Sequence, residues 1–327
     1  MIRIFLHLIL LLLGVQSAST VLAQSCCSGG VPTSSNLGLI PQLEGSVLVS
    51  VGADFNTLRT LKSGTLTLDD DLRNRSTQTY LTRTSYSISP TTHVEVLVPY
   101  IIQSRSIVTN SGRTVQEQTA GFGDVTLLAT HRWLDKVLVM RSGVGLTLPT
   151  GDFNQTDDRG LFFLEDLQPG SGAIDMILFH STEFQFFEKN PNRYFFLNSI
   201  LTRSGKNSQS RGGAQEYQFG NEVQVIVGYS DQVLLAKSIV TPTLSLRYRH
   251  VGRDLVDGIP NSGSGGDFLF SRIGANLQLS PVWTAYGGYE LPVYSRVNET
   301  QLAPSYRISI GITISISKNQ NTSISQF

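Results

Sequence analysis

Residues 306–316 read Tyr306, Arg307, Ile308, Ser309, Ile310, Gly311, Ile312, Thr313, Ile314, Ser315, Ile316. Every even position is apolar or aromatic and every odd one is polar or glycine. In an extended chain successive side chains point to opposite faces, so this is a strand with one oily and one polar face. The period excludes a helix, whose apolar stripe recurs every three to four residues. The same period runs through other segments. Val94, Val96, Val98, Tyr100 and Ile102 alternate with His93, Glu95, Leu97 and Pro99. Tyr217, Phe219, Val223, Val225, Val227 and Tyr229 stand against Glu216, Gln218, Glu222 and Gln224. Leu244, Leu246 and Tyr248 stand against Thr243, Ser245, Arg247 and Arg249.

The pattern predicts twelve strands, near 44–54, 77–88, 93–105, 121–132, 137–149, 172–187, 193–203, 216–229, 233–249, 267–279, 282–294 and 306–316. Short connections follow the second, fourth, sixth, eighth and tenth of them. Long polar ones occupy 55–76, 106–120, 150–171, 204–215, 250–266 and 295–305. Strict alternation puts both chain ends on the short-turn side. An even strand number, short turns on one side and long loops on the other define the transmembrane antiparallel β-barrel of the bacterial outer membrane, with short periplasmic turns and long extracellular loops. A soluble β-sandwich has no reason to keep that order.

The first residues read as export machinery. Arg3 gives the positive start, Ile4 to Val15 an apolar core, and Val21-Leu22-Ala23 a small-x-small cleavage site, which makes 1–23 a signal peptide. That core is shorter than the ~20 residues of a membrane helix. Residues 24–43 then form a periplasmic segment, 44–316 the barrel, and 317–327 a C-terminal tail. With 25 Lys plus Arg against 25 Asp plus Glu, no basic excess points to nucleic acid. Charged residues are only 15% of the 327-residue chain, while Ser, Thr, Gly, Asn and Gln keep hydrophobicity ordinary, as suits a barrel wet inside and lipid-coated outside.

On period two, the charges Glu44, Arg83, Glu95, Asp124, Arg132, Arg141, Asp175, Glu183, Glu222, Arg247, Arg249, Arg272, Glu290 and Arg307 face inward. Twelve strands enclose a lumen narrower than that of an open porin, and unpaired charges in it would be costly, so the two signs are expected to pair. From Glu95 onward these are the candidate pore-lining residues. Tyr100, Trp133, Tyr217, Tyr229, Tyr248, Trp283 and Tyr289 fall near strand ends, where an aromatic girdle would sit at headgroup level.

Four motifs carry a resemblance: Val98-Pro99-Tyr100, Gly121-Phe122-Gly123-Asp124, Leu148-Pro149-Thr150-Gly151-Asp152 and Leu302-Ala303-Pro304-Ser305-Tyr306. Together they resemble the outer-membrane family named for the meta-pathway of phenol degradation, over roughly residues 40–316. The resemblance implies a barrel resembling channels for hydrophobic and aromatic compounds, with outer-membrane lipid, a small-molecule solute and the barrel-assembly machinery as partners. This sequence departs from the family in its tail and in lacking an aromatic at Ile316; Phe327 supplies a C-terminal aromatic instead. The motifs also have a plain physical reading, since Gly121 and Gly123 let a strand bend and Pro149 ends a ladder.

Cys26 and Cys27 are the only cysteines. Adjacent cysteines close only a strained ring, and with no histidine or third cysteine nearby they make weak metal candidates. No cofactor is expected. Asp152, Asn154, Thr156 and Asp158 are spaced like the start of a calcium loop, but Asp157 replaces its turn glycine and Phe163 its closing Glu. A barrel hydrolase would need Ser and His on one face; His180 and Ser181 point oppositely, and neither His131 nor His250 has a serine two positions away. The chain therefore reads as a channel for passive passage of small solutes rather than an enzyme. The second reading is a structural or surface-interaction barrel with a blocked lumen.

Overall fold

The structure is a computed structural model that describes residues 44–109, 111–135, 137–185, 193–235 and 238–317. The signal peptide 1–23, the 24–43 segment with Cys26 and Cys27, and the tail beyond residue 317 lie outside the described residues.

Twelve antiparallel strands form a closed meander. We number them β1 (Val47–Ser63), β2 (Arg73–Ser87), β3 (Thr92–Val108), β4 (in two segments, Thr114–Phe122 and Val125–Asp135), β5 (Leu138–Leu148) and β6 (Asp175–Phe184). There follow β7 (Tyr194–Arg203), β8 (Glu222–Ser230), β9 (Ser238–Val251), β10 (Gly266–Gln278), β11 (Trp283–Val297) and β12 (Thr300–Ile316). Each strand pairs with the next, and the sheet closes where the 306–316 stretch meets β1, from Val47 opposite Ile316 to Thr57 opposite Tyr306. Closure leaves no sheet edge for lipid to face, the condition for a sheet to cross a bilayer.

The faces fall as the alternation predicts. On β3, His93, Glu95, Leu97 and Ile101 are buried, while Val96 and Tyr100 are exposed. On β9, Ser245, Arg247 and Arg249 are buried, and Leu244, Leu246 and Tyr248 are exposed. An inward face holding Arg and Glu and an outward face of exposed Ile, Leu and Val inverts a soluble protein; only lipid makes such an exterior favourable. Tyr100, Trp133, Tyr248, Trp283 and Tyr289 are exposed on that exterior, Trp133, Tyr248 and Trp283 near strand ends and Tyr100 and Tyr289 near the middle of theirs.

Three differences from the sequence reading stand out. The connections at 55–76, 106–120 and 295–305 are mostly strand: β1 runs on to Ser63, β3 continues to Val108 and β4 starts at Thr114, and only Asn298 and Glu299 separate β11 from β12. The 17 residues of β1 span about 56 Å at ~3.3 Å each, well beyond the 9–11 residues a bilayer requires. Outside the membrane the outward face of a strand meets water instead of lipid, so these extensions lose the apolar half of the alternation and read as loop. Tyr217 is the second difference. It is 4% exposed and belongs not to a girdle but to a small four-stranded sheet (Asn207–Ser210, Gln215–Gln218, Leu255–Val256, Ile259–Pro260) on the long-loop side. Third, Glu44 lies exposed in the turn before β1 instead of facing the lumen.

The wall is uneven. The ladder between β11 and β12 covers only Trp283–Glu290 against Ile314–Arg307. Beyond it β11 stays on β10 and β12 on β1, and Pro292 and Pro304, which have no N–H to donate, stand on the two sides of the parting. Inside, glycines make room for large inward side chains. Tyr286 lies over Gly52 and Gly311, and the Arg272 guanidinium over Gly288.

Candidate functional site

The lumen is held by ion pairs. Arg83 Nε lies 3.3 Å from Glu95 Oε1, and Arg249 Nη2 donates to Glu222 Oε2 at 2.6 Å. Arg307 Nε donates to Asp54 at 2.8 Å, and Arg247 Nε to Glu290 Oε2 at 3.0 Å. Arg141 pairs with Glu183, and Arg75 with Asp166. In a confined space such pairing spares both partners the cost of being desolvated alone. Around Arg247 the network is dense. Its Nη1 donates to Gln224 at 3.2 Å, and its guanidinium carbon sits 4.3 Å from the centre of the Phe270 ring. The space left among Asn56, Gln224, Arg247, Phe270, Glu290 and Arg307 is about 10 Å³, room for roughly one water.

Of the twelve charges that the sequence nominates, eight take part in five pairs: Arg141–Glu183, Arg249–Glu222, Arg247–Glu290 and, with partners from outside the twelve, Glu95–Arg83 and Arg307–Asp54. The remaining four do other things. Arg132 sits at the periplasmic rim, bonded to Asp135 at 2.8 Å and to the Pro90 carbonyl at 3.0 Å. Asp124 accepts from Gly151 N at 2.9 Å, Ser171 N at 2.6 Å and Ser171 Oγ at 2.7 Å, so it anchors a loop. Asp175 accepts from Gly205 N at 2.9 Å. Arg272 reaches only Ser309 Oγ, at 3.4 Å, and has no carboxylate within ion-pair distance among the described residues.

Sequence reasoning missed Asp54, Arg75 and Asp166. The first closes a strand that was read as ending there, and the other two lie in stretches read as loop. Asp166 is the larger surprise. The connection between β5 and β6 does not stay outside: its short 3-10 turn Glu165–Leu167 enters the barrel, with Asp166 5%, Leu167 0% and Gln168 6% exposed. Gln103 Nε2 donates to the Gln168 carbonyl at 3.0 Å, and Thr119 Oγ1 donates to the Leu167 carbonyl.

Between this turn and the β6–β9 wall a cavity of about 220 Å³ remains. Pro99, Ile101, Ile177, Phe219 and Val251 give it apolar surface; Asp124, Glu165, Asp166, Asp175, Glu222 and Asp254 face it with one cation, Arg249. The small outer sheet roofs this region. Tyr217 Oη donates to Asp254 Oδ2 at 2.6 Å, and burial beside that carboxylate pushes the Tyr217 phenol well above its usual range.

A Ser–His contact exists after all, but across strands. Ser142 on β5 is opposite His180 on β6, with Oγ and Nδ1 3.0 Å apart, and Trp133 Nε1 donates to the same Oγ at 3.2 Å. His180 Nε2 meets the Thr182 hydroxyl at 2.9 Å rather than a carboxylate or amide. The strand N–H groups around it serve the ladder, so none converges as an oxyanion hole. Here a polar cluster ties an outward Trp to the headgroup level. Among the described residues no group of His, Cys, Asp and Glu is placed to hold a metal ion.

No family model matches the chain, and no curated protein matches its sequence. Solved structures do. The COG4313 outer membrane channel from Pseudomonas putida F1 superposes with a TM-score of 0.67 at 14% identity, over 85% of this chain and 98% of that one. The β domain of the Bordetella autotransporter BrkA follows at 0.48 and 11%, over 84% and 100%. The CymD monoaromatic hydrocarbon channel gives 0.43 and 9%, over 90% and 95%. The first likeness shows that the fold is that of an outer-membrane barrel, as the alternation and the motifs implied.

Proposed function

We propose that this barrel is an outer-membrane channel through which small solutes pass passively. The observation that carries the reading is the lumen itself. Arginines and carboxylates line it in matched pairs, and above them lies a cavity of about 220 Å³ with both apolar and acidic surface. A barrel serving only as a scaffold has no use for such a lining, which a close-packed apolar core would replace at no loss of stability. The pore-lining residues are Glu95, Arg141, Glu183, Glu222, Arg247, Arg249, Arg272, Glu290 and Arg307, with Asp54, Arg75 and Arg83 added by their geometry.

Paired charges suit a mixed clientele. A matched Arg–Glu pair presents a dipole rather than a bare charge, so a neutral or weakly polar solute slides past without stripping a naked ion of water. The motif resemblance directs attention to hydrophobic and aromatic compounds, and Pro99, Ile101, Ile177 and Phe219 give a ring something to lie against. Discrete conductance of the refolded protein in a planar lipid bilayer tests the channel reading, and lower uptake of an aromatic tracer by cells lacking the protein tests the solute class.

A specific observation favours the second reading, a blocked structural barrel. The mid-lumen void holds roughly one water, and the 165–167 turn lies inside the barrel. Persistent electrical silence, including after removal of residues 153–168, would decide for it.

A further inference from the structure

The same turn explains how one barrel can be both plugged and a channel. We propose that the connection between β5 and β6 is a reversible gate, closed in this structure, and that the Arg75–Asp166 pair is its latch. The inference rests on the channel reading and adds the part that opens.

The connection is built as a hinged body. Asp124, on the wall at the break between the two β4 segments, accepts hydrogen bonds from Gly151 and from Ser171, so one carboxylate clamps both ends. Beside the clamp Gly151 packs on Gly123, and Gly170 on Gly151, so closely that a Cβ on either would meet backbone at 2.7 Å. Such contacts need glycine and leave the chain thin where it enters the barrel. Between the clamped ends Gln155 and Gln168 bind one another twice: Gln168 Oε1 accepts from Gln155 N at 2.9 Å, and Gln168 Nε2 donates to the Gln155 carbonyl at 3.0 Å. The segment therefore moves as a unit.

Its tip is fastened by polar bonds to three successive strands. Arg75 on β2 pairs with Asp166, Gln103 on β3 donates to Gln168, and Thr119 on β4 donates to Leu167. Only one large aliphatic side chain of the tip, Leu167, is wholly buried. Polar fastenings can be exchanged for water when the tip lifts, while an apolar plug would have to expose its whole surface. A segment held at a rigid base, internally braced and latched by a handful of exchangeable bonds has the makings of a two-state element.

The test uses the full barrel with Cys26→Ser and Cys27→Ser, carrying Thr119→Cys and Leu167→Cys, read by single-channel recording in a planar bilayer. Joining the two thiols with a short bifunctional methanethiosulfonate should abolish conductance, and a reductant should restore it. In parallel, Asp166→Asn should raise the open fraction at least about tenfold, the shift expected from weakening one charge-assisted bond at the latch. Conductance unchanged by the cross-link, with wild type active, would overturn the gate and leave the channel standing. Silence of wild type, the reduced double variant and Asp166→Asn alike would overturn both.

Discussion

Glu290 is the residue on which the mid-lumen network turns, and replacing it by glutamine gives the sharpest energetic prediction. Its side chain is 5% exposed and that of its partner Arg247 6%. Arg307 and Arg272 also lie within electrostatic reach of the carboxylate. Removing one partner of a buried pair costs about 3–5 kcal/mol, because the other is left charged and unsolvated. Here the amide keeps the shape and one hydrogen bond, and the adjoining void admits a water, so we expect the low end, about 3 kcal/mol. Removing the cation as well, in Arg247→Met with Glu290→Gln, should return the barrel to within about 1 kcal/mol of wild type. Urea unfolding and refolding of the barrel in lipid vesicles measures both. A single variant within 1 kcal/mol of wild type, or a double variant worse than the single, would refute the view that pairing is what holds these charges in place. The same substitution also has an electrical signature. Glu290→Gln removes one carboxylate from the mid-lumen and leaves Arg247, Arg272 and Arg307 there without it. Reversal potentials in a salt gradient should then move toward anions.

Other expectations follow from single contacts. Gly52→Ala and Gly311→Ala each drive a methyl into Tyr286 and should cost about 1–3 kcal/mol, a loss that Tyr286→Ala in the same chain relieves. Tyr217→Phe leaves Asp254 without its phenol donor; loss of a bond to a charged group, worth about 1.5–3 kcal/mol, should loosen the outer sheet and speed proteolysis between 204 and 221 while the barrel midpoint hardly moves. Because the folded state holds the Tyr217 phenol neutral, its contribution is constant below the ordinary tyrosine pKa of about 10 and lost as pH rises above it, where the unfolded chain ionises first. Ultraviolet titration of wild type against Tyr217→Phe should show one tyrosine that fails to ionise until the outer sheet opens. Folded barrel in detergent should also migrate differently on a gel before and after boiling, and no shift would count against the closed sheet.

What the sequence disclosed and what it hid divide along the membrane boundary. Within the bilayer one face meets lipid and the other the lumen, so Arg247, Arg249 and Glu222 announce their direction by their parity with Leu246, Tyr248 and Val223. Above the bilayer the outward face meets water instead of lipid, so the apolar half of the alternation is lost, and Arg75 in the run Arg73-Asn74-Arg75-Ser76-Thr77 looks like any loop residue although its side chain is buried. Asp166 was hidden for a different reason. A loop entering a barrel is held by contacts to strands far away in sequence, Arg75 and Thr119 among them, and no local period encodes them. Ser142 and His180 show the same limit in a milder form, since cross-strand register brings together residues that spacing along one strand would never pair.

The direction of the ion pairs bears on whether the lumen can open. Arg83–Glu95 joins β2 to β3, Arg141–Glu183 joins β5 to β6, Arg249–Glu222 joins β9 to β8, and Arg307–Asp54 joins β12 to β1. Arg247–Glu290 spans β9 to β11, passing over Phe270 on the strand between. All five run around the wall, between strands adjacent or one apart, and none crosses the axis to the opposite side. They stiffen a barrel too narrow for a free column of water and too wide to be filled like an eight-stranded one. Among the described residues, Arg75–Asp166 is the one buried pair that ties the wall to a loop. A lumen blocked by its wall could open only by unfolding, whereas one blocked by a latched loop opens when the bonds of Arg75, Gln103 and Thr119 to one tip give way to water. The circumferential pairs leave the β5–β6 connection as the part of the obstruction that can lift, and because lifting it hands Arg75 to water, freeing it should leave the unfolding midpoint of the barrel nearly where it was.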